Sequence, residues 1–142
     1  MSADSPQFLD TNILIYAFDI STGQKHQKAR ALYDHLWASG GGYVSMQVLQ
    51  EFYVSITRKA PNLLDVEQAA LILRDLTKWH VHIPNANDIF AAIELQTHYK
   101  ISFWDAMILR SAQQSGCGVL LSEDLSDAQD YGGVKVVNPF KV

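Results

Sequence analysis

Short apolar runs alternate with longer amphipathic stretches along this chain. The short runs are typical of buried strands, and the longer stretches repeat apolar residues every three or four positions, as helices do. We predict strands at 7–10, 43–44, 79–83, 119–121 and 134–137. We predict helices beginning near 13 and covering 24–39, 46–58, 65–78, 85–98 and 102–116.

Local signals define several of the predicted helix ends. Three glycines at 40–42 stop the second helix, Ser45 can cap the third, and Pro61 ends it. Asp65 and Gln68 form a capping-box pattern, and Asn85 or Asn87 can cap the helix that follows. We expect a turn at residues 11–12. The helix after Asp65 is expected to bury five apolar residues: Val66, Ala69, Ala70, Leu73 and Leu76.

Strands that alternate with helices predict an α/β fold in which a mostly parallel sheet is covered on both faces. The 142 residues suit one domain spanning 1–142, and no repeat or linker divides them. In such sheets, ligands bind beyond the carboxyl ends of the strands. Asp10 and Asp124 lie just past two predicted strand ends, which indicates a site there.

Four acidic residues lie beside or inside strongly apolar runs: Asp10, Glu51, Asp105 and Asp124. A carboxylate is costly to bury unless it is paired or bound to a metal. No comparable set of buried bases accompanies these acids, so the pattern favours a cation. Hard divalent ions take oxygen ligands, and we therefore expect Mg²⁺ or Mn²⁺.

Each acid also has an ordinary structural interpretation. Asp10 could bond turn amides, and Glu51 could lie at the edge of an apolar helix face with its carboxylate in water. Asp105 follows Ser102 at a helix start, where acids are favoured, and Asp124 could cap a helix. Glu123 and Asp127 are expected to be solvated or to support the site from behind. Trp104 is expected in the core or in a site wall.

Composition limits the partners that this chain can have. It is 48% hydrophobic and 18% charged, which is typical of a globular protein. The formal net charge of −4 argues against a nucleic-acid partner, unless the four acids converge on bound cations. Without those four acids the net charge would be zero.

The sequence carries no signal for secretion or for a membrane. Its one cysteine, Cys117, cannot form an internal disulfide, so we expect a reducing cytoplasm. The N-terminus lacks a basic flank, and Asp10 and Asn12 interrupt the apolar stretch that follows it. No window reaches the length of a transmembrane helix.

Four segments in order along the chain resemble the motifs of the PIN-domain (PilT N-terminal) ribonucleases, and particularly of VapC-type toxins. The segments are FLDTNILIYAFD, VSMQVLQEF, ISFWDAMIL and LLSEDLSDAQDYGGVKVVNPF. The four acids match the family's metal-binding acids. The polar residues Thr11, Asn12, Ser45 and Ser122 match the small polar residues beside them.

The resemblance implies a three-layer α/β/α fold and Mg²⁺- or Mn²⁺-dependent cleavage of RNA. Single-stranded RNA is the natural substrate class, because unpaired segments can bend into a cleft and expose the phosphate. Asp10, Asp105 and Asp124 would hold the metal, and Glu51 would bind it directly or through water. Thr11, Asn12 and Ser122 would orient these groups from behind. The resemblance also implies a small antitoxin partner that occupies the groove, and a homodimer.

Two other classes stay open at this point. A receiver-like signalling domain also collects acids and Mg²⁺ at strand ends, although Asp10 has no acidic neighbour here. A catalytically silent PIN domain would bind RNA or protein without cutting.

Basic residues clustered in the sequence are candidates for RNA contact: Lys25, Lys28, Arg58 and Lys59. His80 and His82 could suit zinc, but we favour a solvent-facing strand edge.

Overall fold

The computed structural model describes residues 5–58 and 63–141. Pro61, the predicted helix stop, and Lys59, a candidate RNA contact, lie outside these ranges. Within the described chain, six strands form one sheet in the order β3-β2-β1-β4-β6-β5. The strands are β1 Gln7–Leu9, β2 Gly42–Ser45, β3 His80–His82, β4 Val119–Leu121, β5 Asp130–Tyr131 and β6 Val134–Val137.

All neighbouring strands are parallel except β5, which pairs antiparallel with β6. The pattern of apolar residues did not predict β5, because two residues are too few to show alternation. The β5–β6 hairpin turns at Gly132 and Gly133, whose φ angles of 62° and 94° favour glycine. In the sheet centre, Phe8 is in register with Tyr43 on one side and Leu120 on the other.

The helices follow the predicted amphipathic stretches closely. They are α1 Thr11–Tyr16, α2 Gln24–Ser39, α3 Met46–Arg58, α4 Val66–Leu76, α5 Ala86–Tyr99 and α6 Phe103–Gln114, with a short 3₁₀ turn at Ile20–Thr22 that the pattern did not predict. The predicted bounds of α2 and α3 are confirmed. Gly40 ends α2 in the left-handed conformation, and Asp65 and Gln68 form the predicted capping box of α4. Asn85, not Asn87, caps α5.

The structure corrects three predictions about burial and local structure. Thr11 and Asn12 form no separate turn, because Asp10 caps α1 and the helix begins directly at Thr11. Val66 is 59% exposed and Ala70 is also exposed, since the buried positions of α4 are Ala69 and Leu76. Trp104 is 62% exposed and is not part of the core. Helical spacing shows which residues share a face, but not whether a neighbour covers that face.

The chain runs outward in two directions from the middle of the sheet. Strands β1, β2 and β3 extend to one side, and the chain then returns to place β4 and β6 on the other side of β1. The helices pack in two groups: α1 contacts α2 and α3, and α3 contacts α4, while α5 packs on α6. Right-handed crossovers, the rule for such sheets, would place these two groups on opposite faces. The direction therefore reverses between β1 and β4, where parallel α/β sheets usually bind ligands.

Candidate functional site

The carboxyl ends of β1 and β4 lie side by side at this reversal point. Asp10 follows β1, and Ser122 and Asp124 follow β4. The α3 helix begins directly after β2 and carries Glu51, while α6 brings Asp105 in its first turn. The four acids are therefore brought to one edge of the sheet, close enough for their charges to act on one another.

Asp10 forms the buried floor of the site. It is 5% exposed, accepts a 2.7 Å hydrogen bond from the Thr11 N–H and accepts another of 2.7 Å from Ser122 Oγ. Burial raises the pKa of the Asp10 carboxyl from 3.8 to about 7, although these two hydrogen bonds oppose the rise. The charges of Asp124 and Asp105 raise it further. The carboxylate thus lies in a place that disfavours its charged form.

Glu51 lies on the α3 wall of the site. The Thr11 hydroxyl donates to Glu51 Oε1 at 2.7 Å, and Gln47 Nε2 donates to Oε2 at 3.2 Å. Its position at the edge of the apolar face of α3 agrees with the ordinary interpretation, but its carboxylate is held inside the site. Gln47 was not predicted as a site residue, although its spacing of four residues from Glu51 on one helix could have indicated it.

Asp105 and Asp124 are the remaining two acids of the site. Asp105 is half-buried, and its N–H donates to Ser102 Oγ, so the residue also has the predicted place in the first turn of α6. Burial raises the pKa of Asp105, and the charges of Asp124 and Glu51 add to that rise. Asp124 is exposed and its N–H donates to Ser122 Oγ at 3.1 Å. The next elements in the described chain are strands β5 and β6, so the capping interpretation of Asp124 is wrong.

The site has an excess of negative charge. None of the four acids forms an ion pair with any residue in 5–58 or 63–141. The Asn12 side chain lines the cleft beside these acids. Both of its amide atoms are buried with no hydrogen-bond partner in the described chain. A cation would offset the charge of the carboxylates. The donor set therefore fits a hard divalent ion.

The carboxylates are grouped more loosely than in a closed metal site. Among the residues that the structure describes, no three acidic, histidine or cysteine side chains are close enough to hold an ion as they stand. The cleft beside them has a volume of about 490 Å³ and includes Thr11, Glu51 and Asp124. A site of this kind suits Mg²⁺, which keeps several waters and uses few protein ligands.

The structure adds contacts to Glu123, which was expected to be solvated or to support the site from behind, and it overturns the expectation for His82. Glu123 is not simply solvated, because Lys25 pairs with it and Tyr16 donates to it. His82 does not face solvent, because its ring lies 2.9 Å from Ser111 Oγ and 3.5 Å from Asp88. Of these two histidines, His80 is exposed. These contacts join residues far apart in the chain, so no local pattern indicated them.

The sequence matches the family model of the PIN domain over residues 8–130. The chain therefore belongs to the PIN-domain family. This result confirms the predicted α/β fold with a mostly parallel central sheet, and it excludes the receiver-like alternative. No curated protein matches the chain in sequence.

Solved structures share this fold over nearly the whole chain. A toxin–antitoxin complex from Klebsiella pneumoniae is 24% identical, with a TM-score of 0.69 over 97% of this chain and 100% of that one. VapC20 of Mycobacterium tuberculosis, a Sarcin-Ricin loop cleaving toxin, is 21% identical, with a TM-score of 0.63 over 83% and 89%. VapBC2 from Rickettsia felis, bound to a promoter DNA fragment, is 19% identical, with a TM-score of 0.64 over 92% and 96%.

No helix in the described ranges has the length and apolar character needed to cross a bilayer.

Proposed function

We propose that this protein is a metal-dependent endoribonuclease and the toxin of a toxin–antitoxin pair. One observation supports this proposal most strongly. The buried carboxylate of Asp10 lies among three further acids with no basic partner in the described chain, at the reversal point of a PIN-domain sheet. A bound divalent cation would remove the electrostatic cost of this arrangement.

Asp10, Asp105 and Asp124 would hold Mg²⁺ or Mn²⁺, and Glu51 would act directly or through a water. When bound, such an ion activates water as a nucleophile and neutralises charge on phosphoryl oxygens. The protein's own hydrogen bonds would orient the carboxylates. Ser122 directs one oxygen of Asp10 by donating to it, and Thr11 does the same for Glu51. The buried amide of Asn12 has no hydrogen-bond partner in the described chain, so it would need a small movement to reach a bound water.

The substrate that we propose is single-stranded RNA. The cleft is open along its length, and an unpaired strand can bend so that one phosphate reaches the acids. One structural neighbour is described as a toxin that cleaves the Sarcin-Ricin loop, which supports an RNA substrate for this chain. The negative net charge does not oppose this proposal, because bound cations would reverse the charge of the site.

We propose an antitoxin as the protein partner. An apolar groove of about 690 Å³ between α3 and α4 shares Gln50 and Val54 with the acidic cleft, so the two are adjacent. A peptide with apolar residues followed by a basic one would fit both parts. Neighbouring structures are toxin–antitoxin complexes, which supports this partner.

A homodimer in the reducing cytoplasm is part of the same proposal. Ile89, Phe90 and Ile93 form an exposed apolar face on α5 that a second copy could cover. Cys117 is a free, buried cysteine, which is compatible with a reducing compartment.

The test is cleavage of a synthetic single-stranded RNA by the purified protein with Mg²⁺ or Mn²⁺, with and without EDTA. We expect cleavage that EDTA stops and that Asp105→Asn abolishes while the folded structure persists. Asp34→Asn is the matched control, because Asp34 is an exposed acid that pairs with Arg30 on α2. Full activity of Asp105→Asn would contradict the assignment. RNA binding without cleavage by the wild type would favour the catalytically silent alternative.

A further inference from the structure

Three side chains beside the acidic cleft form a connected group of their own. Tyr16 is the last residue of α1, and its hydroxyl donates to Oε1 of Glu123. Lys25, in the first turn of α2, places Nζ 2.8 Å from the other oxygen, Oε2. Both oxygens of Glu123 are therefore bound by residues about a hundred positions earlier in the chain. We call Tyr16, Lys25 and Glu123 the Glu123 clamp.

Aromatic contacts fix the two donors of the clamp. Lys25 Nζ lies 5.1 Å from the centre of the Tyr16 ring and 5.5 Å from the centre of the Phe140 ring. The two rings meet edge to face with their centres 5.3 Å apart. His26 Nδ1 lies 2.9 Å from the carbonyl oxygen of Tyr16, which ties the end of α1 to α2. The clamp therefore rests on packed aromatic rings, beside which the Lys25 side chain stays 45% exposed.

Glu123 lies in the short backbone segment that carries Asp124. Ser122, on one side, is fully buried and bonds Asp10. Asp124, on the other side, is exposed, and its N–H donates to Ser122 Oγ. The segment is thus attached at two points. Ser122 holds it to the residue that caps the start of α1, and Glu123 holds it to the end of α1, about 8 Å away at about 1.5 Å per residue.

We propose that the Glu123 clamp positions Asp124 for metal binding, so that Tyr16 and Lys25 act as positioning residues that never touch the ion. This inference rests on the proposed function. An exposed carboxylate on a loop with no helix behind it must lose freedom when it binds a cation. The clamp removes part of that freedom in advance, as supports behind metal ligands generally do. It also commits Lys25 to Glu123, and so weakens the earlier prediction that Lys25 binds RNA.

Tyr16→Phe is the sharpest test, because it removes one hydroxyl and keeps the ring that Lys25 and Phe140 contact. We expect the dissociation constant for Mn²⁺, measured without RNA from the electron paramagnetic resonance signal of free Mn²⁺, to rise about tenfold. RNA cleavage should need more Mn²⁺ to the same degree and recover at saturating Mn²⁺. Tyr43→Phe is the matched control, since the described chain offers no hydrogen bond to the Tyr43 hydroxyl. It should leave Mn²⁺ binding unchanged.

Glu123→Gln gives a second, independent variant. It keeps an oxygen for the Tyr16 hydroxyl but removes the charge that Lys25 pairs with, so we expect a smaller rise in the dissociation constant. A purely structural role would lower the melting temperature in EDTA and leave Mn²⁺ affinity as in the wild type. That result for both variants overturns the inference alone. A wild type that neither binds Mn²⁺ nor cleaves RNA removes the proposed function and the inference with it.

Discussion

Replacing Asp10 by asparagine should stabilise the metal-free protein at neutral and alkaline pH. Burial raises the pKa of this carboxyl from 3.8 to about 7. Because the folded-state pKa lies above the unfolded one, the favourable contribution is full below pH 3.8 and is lost as pH rises to 7. At about 1.4 kcal/mol per pKa unit, the loss amounts to about 4 kcal/mol. A metal-free protein therefore bears a large electrostatic cost at pH 8.

In Asp10→Asn, the new side chain would keep the shape of the old one and carry no charge to desolvate. Asparagine is as good a helix cap as aspartate, so α1 should still begin at Thr11. In EDTA, we expect Asp10→Asn to be more stable than the wild type by about 4 kcal/mol at pH 8. At pH 5 the difference should shrink to on the order of 2 kcal/mol, since the wild-type carboxyl is then largely protonated when folded.

The assay is urea unfolding followed by tryptophan fluorescence, with chelator present, at pH 5 and pH 8. Adding Mn²⁺ should then raise the stability of the wild type and not that of the variant, because only the wild type has the full ligand set. Asp19→Asn is the control, because Asp19 is equally buried at 6% exposure but bonds Ser21 away from the cleft. The reasoning fails if Asp10→Asn is the less stable protein at pH 8, or if its advantage does not change with pH.

Three further predictions concern the rest of the molecule. Burial raises the pKa of Cys117 to about 12, so Ellman's reagent should leave it unmodified at pH 8 until urea unfolds the protein; rapid reaction of the native form would contradict this. Despite its burial, the Asp88 carboxyl has a lowered pKa, because the Asn85 N–H and Arg110 bind it, the latter at 2.9 Å. Asp88→Asn should therefore lower the free energy of unfolding by on the order of 3 kcal/mol at pH 7. The loss should become smaller as pH falls below 4, which urea titrations would check. Phe52→Ala should cost about 3–5 kcal/mol in the same assay, because Phe52 is fully buried, and a loss below about 1 kcal/mol would show that the core rearranges.

Local sequence patterns predicted most of the secondary structure. The apolar period of α3, its cap at Ser45 and the strand before it involve residues close in the chain, and the structure confirms them. The left-handed Gly40 at the end of α2 is a property of that residue. The acids could likewise be recognised one by one, because each lies next to an apolar run.

Helical spacing failed to predict burial where burial depended on residues distant in the chain. Val66 and Ala70 were predicted to be buried because they share a helical face with Ala69, yet the structure leaves them exposed. Trp104 was expected in the core or in a site wall, and its 62% exposure contradicts the core alternative. Helical spacing states which residues lie on one face. Burial also requires another element to lie against that face, and this is not a local property.

The residue types of the acidic site, and their order along the chain, are therefore properties of the sequence alone. Only the tertiary structure decided that Asp10 is buried while Asp124 is exposed, and that Glu123 is held by Tyr16 and Lys25. The physical reason is that desolvation and charge–charge energies depend on distances through space. Those distances arise when β1 and β4 become neighbours, although they are more than a hundred residues apart in the chain.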